Sequence, residues 1–157
     1  MTTRTIQPAT VKKTLVVKAS QAKCFKVFTD GIDRWWPKTH TVGETPLKRA
    51  VIEPREGGRW YGVSEAGVED PWGDVLAWQP PARLVLAWRI NGRFKPDAAV
   101  HTEVEVVFVD LGDGTTRVEF EHRGLENLGE GGDEARAAMD GGWSLILGQF
   151  QTAAEEP

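Results

Sequence analysis

The clearest hydrophobic pattern lies in two segments on either side of Gly112-Asp113-Gly114. Apolar and charged residues alternate from Val100 to Phe108, and they alternate again from Val118 to His122. Such alternation is typical of strands with one buried and one solvated face, and the intervening glycines favour a hairpin turn. We therefore predict a β-hairpin that places His122 on the apolar face.

A second pattern runs from Asp133 to Ala154, where apolar residues recur at helical spacing. This stripe predicts an amphipathic helix, with Asp133 as its N-cap. Two adjacent glycines, Gly141 and Gly142, interrupt the helix and cost about 1 kcal/mol each relative to alanine. We expect that a strand, a loop or a ligand approaches the helix closely at this point. The residues of the stripe are Met139, Trp143, Ile146 or Leu147, and Phe150.

The rest of the chain predicts one domain over residues 10–154, after a flexible N-terminus at residues 1–9. A first strand at 11–18 precedes a helix that Ser20 caps and a short helical turn at 32–36. A loop at 38–47 leads to strands at 49–53, 58–63, 73–78 and 83–90. Strands flanked by helices favour an α+β fold, in which the terminal helix covers the inner face of an antiparallel sheet.

Composition excludes several classes of function. The chain has 157 residues, a hydrophobic share of 40% and a net charge of −4. We therefore expect no nucleic-acid partner, and no apolar run approaches the roughly 18 residues of a membrane span, so no membrane insertion is expected either. Cys24 is the only cysteine, which excludes an intrachain disulfide, favours a cytoplasmic location and is interpreted as a small buried thiol.

Several ordered segments resemble signatures of one family. They are Glu53–Trp60 (EPREGGRW), Trp72–Val75 (WGDV), Pro80–Val85 with Trp88, Gly114–Val118, His122–Gly124 and Gly142-Trp143. By these segments the chain is similar to bacterial homologues of the activator of the ninety-kilodalton heat-shock chaperone's ATPase. That family belongs to the helix-grip superfamily (START/SRPBCC, birch-pollen-allergen-like). The resemblance covers residues 11–154 and implies a curved antiparallel sheet of six or seven strands that grips the C-terminal helix, with two short helices after the first strand.

The resemblance also implies a place for a ligand, because helix-grip proteins hold apolar or aromatic molecules between the terminal helix and the sheet. The chain contains seven tryptophans, which suit such a cavity wall, although the same side chains can instead fill the space completely. We expect a small hydrophobic or aromatic ligand and no intrinsic catalysis. The predicted lining residues are Trp36, Trp60, Trp72, Trp88, Phe108, His122, Met139, Trp143 and Phe150.

His122 is the one candidate catalytic residue. A histidine in the cavity can act as a general base, as in a cyclase- or hydrolase-like enzyme, which is the second hypothesis. The alternative, which we favour, is a core histidine bonded to a backbone carbonyl or a side chain. The three histidines, His40, His101 and His122, lack the spacing of a metal site, so neither a metal nor a cofactor is expected.

The third hypothesis is a stress-response protein that contacts a chaperone through its surface. It follows from the family resemblance alone. The pattern leaves the oligomeric state open between a monomer and a homodimer.

Overall fold

A computed structural model describes residues 10–39 and 46–157 of the protein. Within these ranges, seven strands form one antiparallel sheet in the order β1-β7-β6-β5-β4-β3-β2. The strands are β1 (Thr10–Val17), β2 (Leu47–Ile52), β3 (Arg59–Ser64), β4 (Glu69–Gln79), β5 (Arg83–Trp88), β6 (Thr102–Asp110) and β7 (Thr116–Arg123). The helices are α1 (Gln21–Thr29), α2 (Ile32–Trp35) and α3 (Gly132–Glu155), and a 3-10 turn spans Leu125–Leu128.

The predicted architecture, a curved antiparallel sheet with a long C-terminal helix and two short helices after the first strand, is confirmed. The predictions for residues 1–9 and for His40 lie outside the described residues, as does most of the loop at 38–47. None of the described helices has the length and apolar character needed to cross a membrane.

The hairpin of β6 and β7 follows its alternating sequence. Buried and partly exposed residues alternate along both strands, and Val104 lies opposite His122 in the register. On the outer face, Glu105 accepts hydrogen bonds from Arg83 at 2.5 Å and from Arg123 at 2.8 Å. The apolar side chains of one face therefore turn toward α3, while the charged ones pair with each other across the strands.

Helix α3 buries the predicted stripe but begins earlier than predicted. Its N-cap is Gly131, with φ 83°, and no side chain caps the helix. Asp133 is instead a first-turn residue, where its negative charge interacts favourably with the positive end of the helix dipole. The start moves because a glycine at positive φ turns the chain sharply into the helix. Buried residues of α3 are Ala135, Met139, Trp143, Ile146, Leu147, Phe150, Ala153 and Ala154.

No strand or loop of the described residues approaches Gly141 or Gly142 closely, so that part of the expectation is wrong, and the approach of a ligand stays a prediction. A Cβ atom built on either glycine would meet no atom within 4 Å. Gly141 is exposed, whereas Gly142 is half-buried beside Trp143. The space beside Gly142 is therefore open rather than filled by the protein.

The two short helices bring aromatic residues beneath α3. Ser20 caps α1, as predicted, by accepting from the backbone N–H of Lys23 at 3.2 Å. Cys24 on α1 is fully buried, and burial raises the pKa of its thiol. Helix α2 ends at Trp35, and the backbone of its C-cap Trp36 is extended, because helical geometry is disfavoured for a residue that precedes proline.

Candidate ligand-binding site

A cavity of about 280 Å³ lies between α3 and the sheet. Its walls come from α3, from β4 and β5, from the loop after β5, and from the segment that follows α2. The lining residues are Trp36, Thr39, Trp72, Trp88, Ile90, Phe94, Ala138, Met139, Gly142, Trp143 and Ile146.

Four tryptophans form the floor of the cavity. The ring centroids of Trp36 and Trp72 are 5.0 Å apart, those of Trp36 and Trp143 are 5.8 Å apart, and those of Trp88 and Trp143 are 5.9 Å apart. Each of these rings is at least nine-tenths buried. Offset and edge-to-face packing at such distances stabilises aromatic clusters, so the floor is a rigid aromatic surface. The exposed rim consists of Thr39, Phe94 and Ala138.

Close contact between β4 and β5 positions two of these tryptophans. Gly73 lies opposite Trp88 in the register, directly after Trp72. A Cβ atom on Gly73 would lie 1.6 Å from the carbonyl oxygen of Ala87. Only glycine permits this approach of the two backbones, and it brings the two indole rings to the same wall.

The structure separates the nine predicted ligand-binding residues into two groups. Trp36, Trp72, Trp88, Met139 and Trp143 line the cavity. The other four are buried elsewhere in the core and do not reach it. They are Trp60, Phe108, His122 and Phe150.

Other lining residues were not among the predicted ones. Ala138, Gly142 and Ile146 lie four residues apart on α3 and share its cavity-facing side with Met139, so helical spacing was a signal that could have identified them. Ile90 and Phe94 lie after β5, outside the regular strands, where no periodic pattern indicates which way a side chain points. Thr39 follows α2 and gives no signal either.

His122 is the centre of a buried hydrogen-bond chain. The indole N–H of Trp143 donates to Nδ1 of His122 at 3.1 Å. Because an indole can only donate, Nδ1 must accept, and the ring proton must be on Nε2. Nε2 lies 2.9 Å from Oγ1 of Thr102, which in turn donates to the carbonyl oxygen of Trp88 at 3.0 Å. Every donor and acceptor of this chain is therefore satisfied by a neutral imidazole.

The hydrogen-bond chain bears on the catalytic hypothesis for His122. Its side chain is fully buried, and burial lowers the pKa of His122 from 6.5 to about 3. The only lone pair of the ring is occupied by Trp143. In this arrangement His122 orients Trp143, a cavity wall, and has no free position from which to take a proton from a ligand.

The cavity itself offers apolar and aromatic contacts. Among the described residues that line it, no side chain is ionisable. Within residues 10–39 and 46–157, no group of three or more potential metal ligands comes together. The chemistry of the wall is therefore that of ring stacking and dispersion contacts.

Two walls also carry unused hydrogen-bond donors. The indole nitrogens of Trp72 and Trp88, and that of Trp60 behind them, are buried and find no acceptor within the described parts of the chain. Buried polar groups without a partner are rare and call for an explanation. The nitrogens of both cavity residues are covered by protein atoms, so no ligand group reaches them in this structure.

Comparison with known proteins places the chain. The family model described as "Activator of Hsp90 ATPase homolog 1-like protein" matches residues 18–155. The chain belongs to this family. A comparison with curated proteins gives no match.

Two solved structures that are similar to this chain differ in what their names describe. The anthrahydroquino-gamma-pyrone synthase Txn09, solved in complex with SUM, is 38% identical over 93% of this chain and 99% of its own, with a TM-score of 0.66. The self-sacrificing resistance protein CalC from Micromonospora echinospora is 33% identical over 92% of this chain and 93% of its own, with a TM-score of 0.70.

A third solved structure shares the fold at low identity. PFC0360w, an HSP90 activator from Plasmodium falciparum, covers 94% of this chain and 97% of its own, with a TM-score of 0.67 at 17% identity. At this identity the likeness concerns the fold alone. The helix-grip fold supports a ligand-binding domain, whereas contact with a chaperone stays a prediction for this family member.

Proposed function

We propose that the protein binds a flat aromatic small molecule in the cavity between α3 and the sheet. The observation that carries this proposal is the cavity wall formed by Trp36, Trp72, Trp88 and Trp143. Ligand sites are typically concave and apolar, with a few polar groups that fix orientation. Rigid indole rings favour a planar aromatic partner over a flexible aliphatic chain, because a planar ring can stack against them over its whole area.

The volume of the cavity limits the size of the buried part. A dry cavity of roughly 150 Å³ accommodates a benzene molecule in another protein, so a cavity of about 280 Å³ accommodates about two fused rings. Sites for larger organic ligands span about 300–1,000 Å³. A molecule with three or more rings therefore extends past the rim.

The chemistry of the ligand is inferred from the lining residues and from one relative. The lining side chains are aromatic or aliphatic apart from Thr39, which suits a planar ring system. The synthase that is 38% identical to this chain is named for an anthrahydroquinone-pyrone product. The lining supports a polycyclic aromatic rather than a fatty acid, and the name of the synthase supports an oxygenated one.

A two-probe titration tests the proposal. Anthraquinone-2-sulfonate and palmitate are each added while tryptophan fluorescence and the melting temperature are followed. A ligand at 100 times its Kd stabilises the fold by about 2.7 kcal/mol, which corresponds to a rise of roughly 5–11 °C for a chain of this size. We expect this rise and fluorescence quenching with the anthraquinone only. Binding of palmitate alone, or of neither probe, contradicts the proposal.

A second candidate function, synthase-type catalysis, is favoured by the 38% identity to Txn09. Because no lining side chain among the described residues is ionisable, such catalysis would act by holding a flexible substrate in a reactive conformation. Mass spectrometry of an aromatic polyketide-type substrate before and after incubation tests it. Turnover that persists in His122→Gln and stops in Gly142→Leu, which fills the cavity, is the expected result for this candidate.

A further inference from the structure

Phe94, on the rim of the cavity, has an unusual backbone conformation. It is the one non-glycine residue with a positive φ, 57°, in the described ranges. Positive φ is disfavoured for bulky residues because Cβ crowds the neighbouring carbonyl oxygen. Its side chain is 40% exposed, so burial of the ring compensates only part of this strain. Strain of this kind is concentrated at binding and catalytic sites.

The loop that carries Phe94 is held at several points. Oδ1 of Asn91 accepts from the backbone N–H groups of Arg93 and Lys95, at 2.9 and 3.2 Å. The N–H of Phe94 itself donates to the carbonyl oxygen of Asn91 at 2.9 Å. Gly92 donates to the carbonyl oxygen of Leu128 at 2.9 Å, which ties the loop to the turn before α3. The surrounding bonds therefore hold the strained residue in place.

We propose that Phe94 is a ligand-contacting residue that determines which ring systems the cavity accepts. This inference rests on the proposed function. The cavity accommodates about two rings. The phenyl group of Phe94 at its rim is placed to stack on the part of the ligand that extends beyond them. The ligand class is then a planar system of at least three rings, with its third ring against Phe94.

If Phe94 serves the ligand rather than the fold, its removal should not destabilise the protein. Glycine adopts the same φ without strain, and relief of that strain offsets the packing lost with the ring, which is 40% exposed. Phe94→Gly should therefore leave the melting temperature unchanged or raise it by about 2–4 °C. Loss of a ring–ring contact should at the same time weaken the binding of a three-ring ligand by about 2- to 10-fold.

The experiment compares a three-ring and a two-ring probe on matched variants. Anthraquinone-2-sulfonate and 2-naphthol are titrated into wild type, Phe94→Gly, Phe94→Tyr and Leu111→Ala. Leu111 is a control because it is similarly exposed, at 39%, and lies in the turn after β6, away from the cavity. We expect Kd for the anthraquinone to rise about 2- to 10-fold in Phe94→Gly only, and Kd for naphthol to change by less than about 2-fold in every variant.

Two outcomes overturn the proposal, and a third moves the binding test to another variant. If both probes bind wild type and Phe94→Gly equally, Phe94 is not a ligand contact, while the proposed function stands. If the melting temperature of Phe94→Gly falls by more than about 4 °C, the residue is a structural anchor. The binding test is then repeated with Phe94→Asn, because asparagine tolerates positive φ. Equal affinity of this variant and wild type for the anthraquinone overturns the proposal. If neither probe binds wild type, the proposed function fails and this inference fails with it.

Discussion

Replacing Gly142 by alanine tests separately how this glycine affects the stability of helix α3 and how it affects ligand binding. In the interior of a helix, glycine is about 1 kcal/mol less favourable than alanine. A methyl group added at Gly142 or at Gly141 would have no atom within 4 Å, so neither substitution creates a steric clash in the free protein. Both Gly142→Ala and Gly141→Ala should stabilise the fold by about 1 kcal/mol, or about 2–4 °C in melting temperature.

The two variants should differ in ligand binding. Gly142 lines the cavity, whereas Gly141 is exposed and does not. A methyl group at residue 142 occupies space that a ligand ring would fill, and overpacking by one carbon typically costs about 1–3 kcal/mol. The Kd for anthraquinone-2-sulfonate, measured by tryptophan quenching, should therefore rise about 5-fold or more in Gly142→Ala and stay unchanged in Gly141→Ala.

The matched pair gives two clear ways for this reasoning to fail. Equal affinity in both variants would mean that the ligand does not lie against α3 at Gly142. A loss of stability in Gly142→Ala alone would mean that the space beside Trp143 is filled in solution, and that the cavity is closed.

Three further predictions concern the core. Because burial lowers the pKa of His122 to about 3, the unfolded chain binds a proton below pH 6.5 that the folded chain does not. The free energy of unfolding should therefore be fully retained above pH 6.5 and fall by up to about 1.4 kcal/mol per unit as pH decreases from 6.5 to 5. Urea titrations should show this slope in wild type and not in His122→Gln, and a slope shared by both would refute the assignment. Trp143→Phe keeps an aromatic ring but leaves Nδ1 of His122 unpaired, so the free energy of unfolding measured in urea should fall by about 1–3 kcal/mol. A decrease of less than about 0.5 kcal/mol would contradict the hydrogen-bond chain. Gly73→Ala forces a Cβ atom onto the carbonyl oxygen of Ala87 and should cost more than about 3 kcal/mol, whereas a wild-type melting temperature would show that β4 and β5 are further apart.

Much of the fold could be predicted from short-range patterns. The alternation in β6 and β7 and the stripe of α3 each identify a buried face, because a strand repeats every two residues and a helix every 3.6. Boundaries were less accurate. Strand β4 begins at Glu69 rather than Gly73, because Glu69, Asp70 and Pro71 pair with β3. The sequence gives little sign of this pairing, since the first two side chains are charged and proline has no backbone N–H.

The candidate site was predicted in part. Trp36, Trp72, Trp88, Met139 and Trp143 could be assigned to a cavity wall, because large apolar residues on the faces of the sheet and the helix must meet there. Trp60 is also a buried tryptophan on a strand, but it lies behind Trp72 and Trp88. Its ring centroid is 5.7 Å from that of Trp72 and 5.3 Å from that of Trp88. Periodicity indicates that a side chain is buried. It does not indicate whether other side chains cover it.

Local sequence patterns are enough to predict the layers of this protein, a sheet with one apolar face and a helix with one apolar stripe, because burial of apolar surface depends on local periodicity. The tertiary structure decided what lies between them. The space beside Gly142, the pairing of His122 with Trp143 and the place of Phe94 on the rim all depend on distances between segments far apart in the chain. Side-chain packing at such contacts is settled only when all the neighbours are in place, since close packing leaves few alternatives for any one of them.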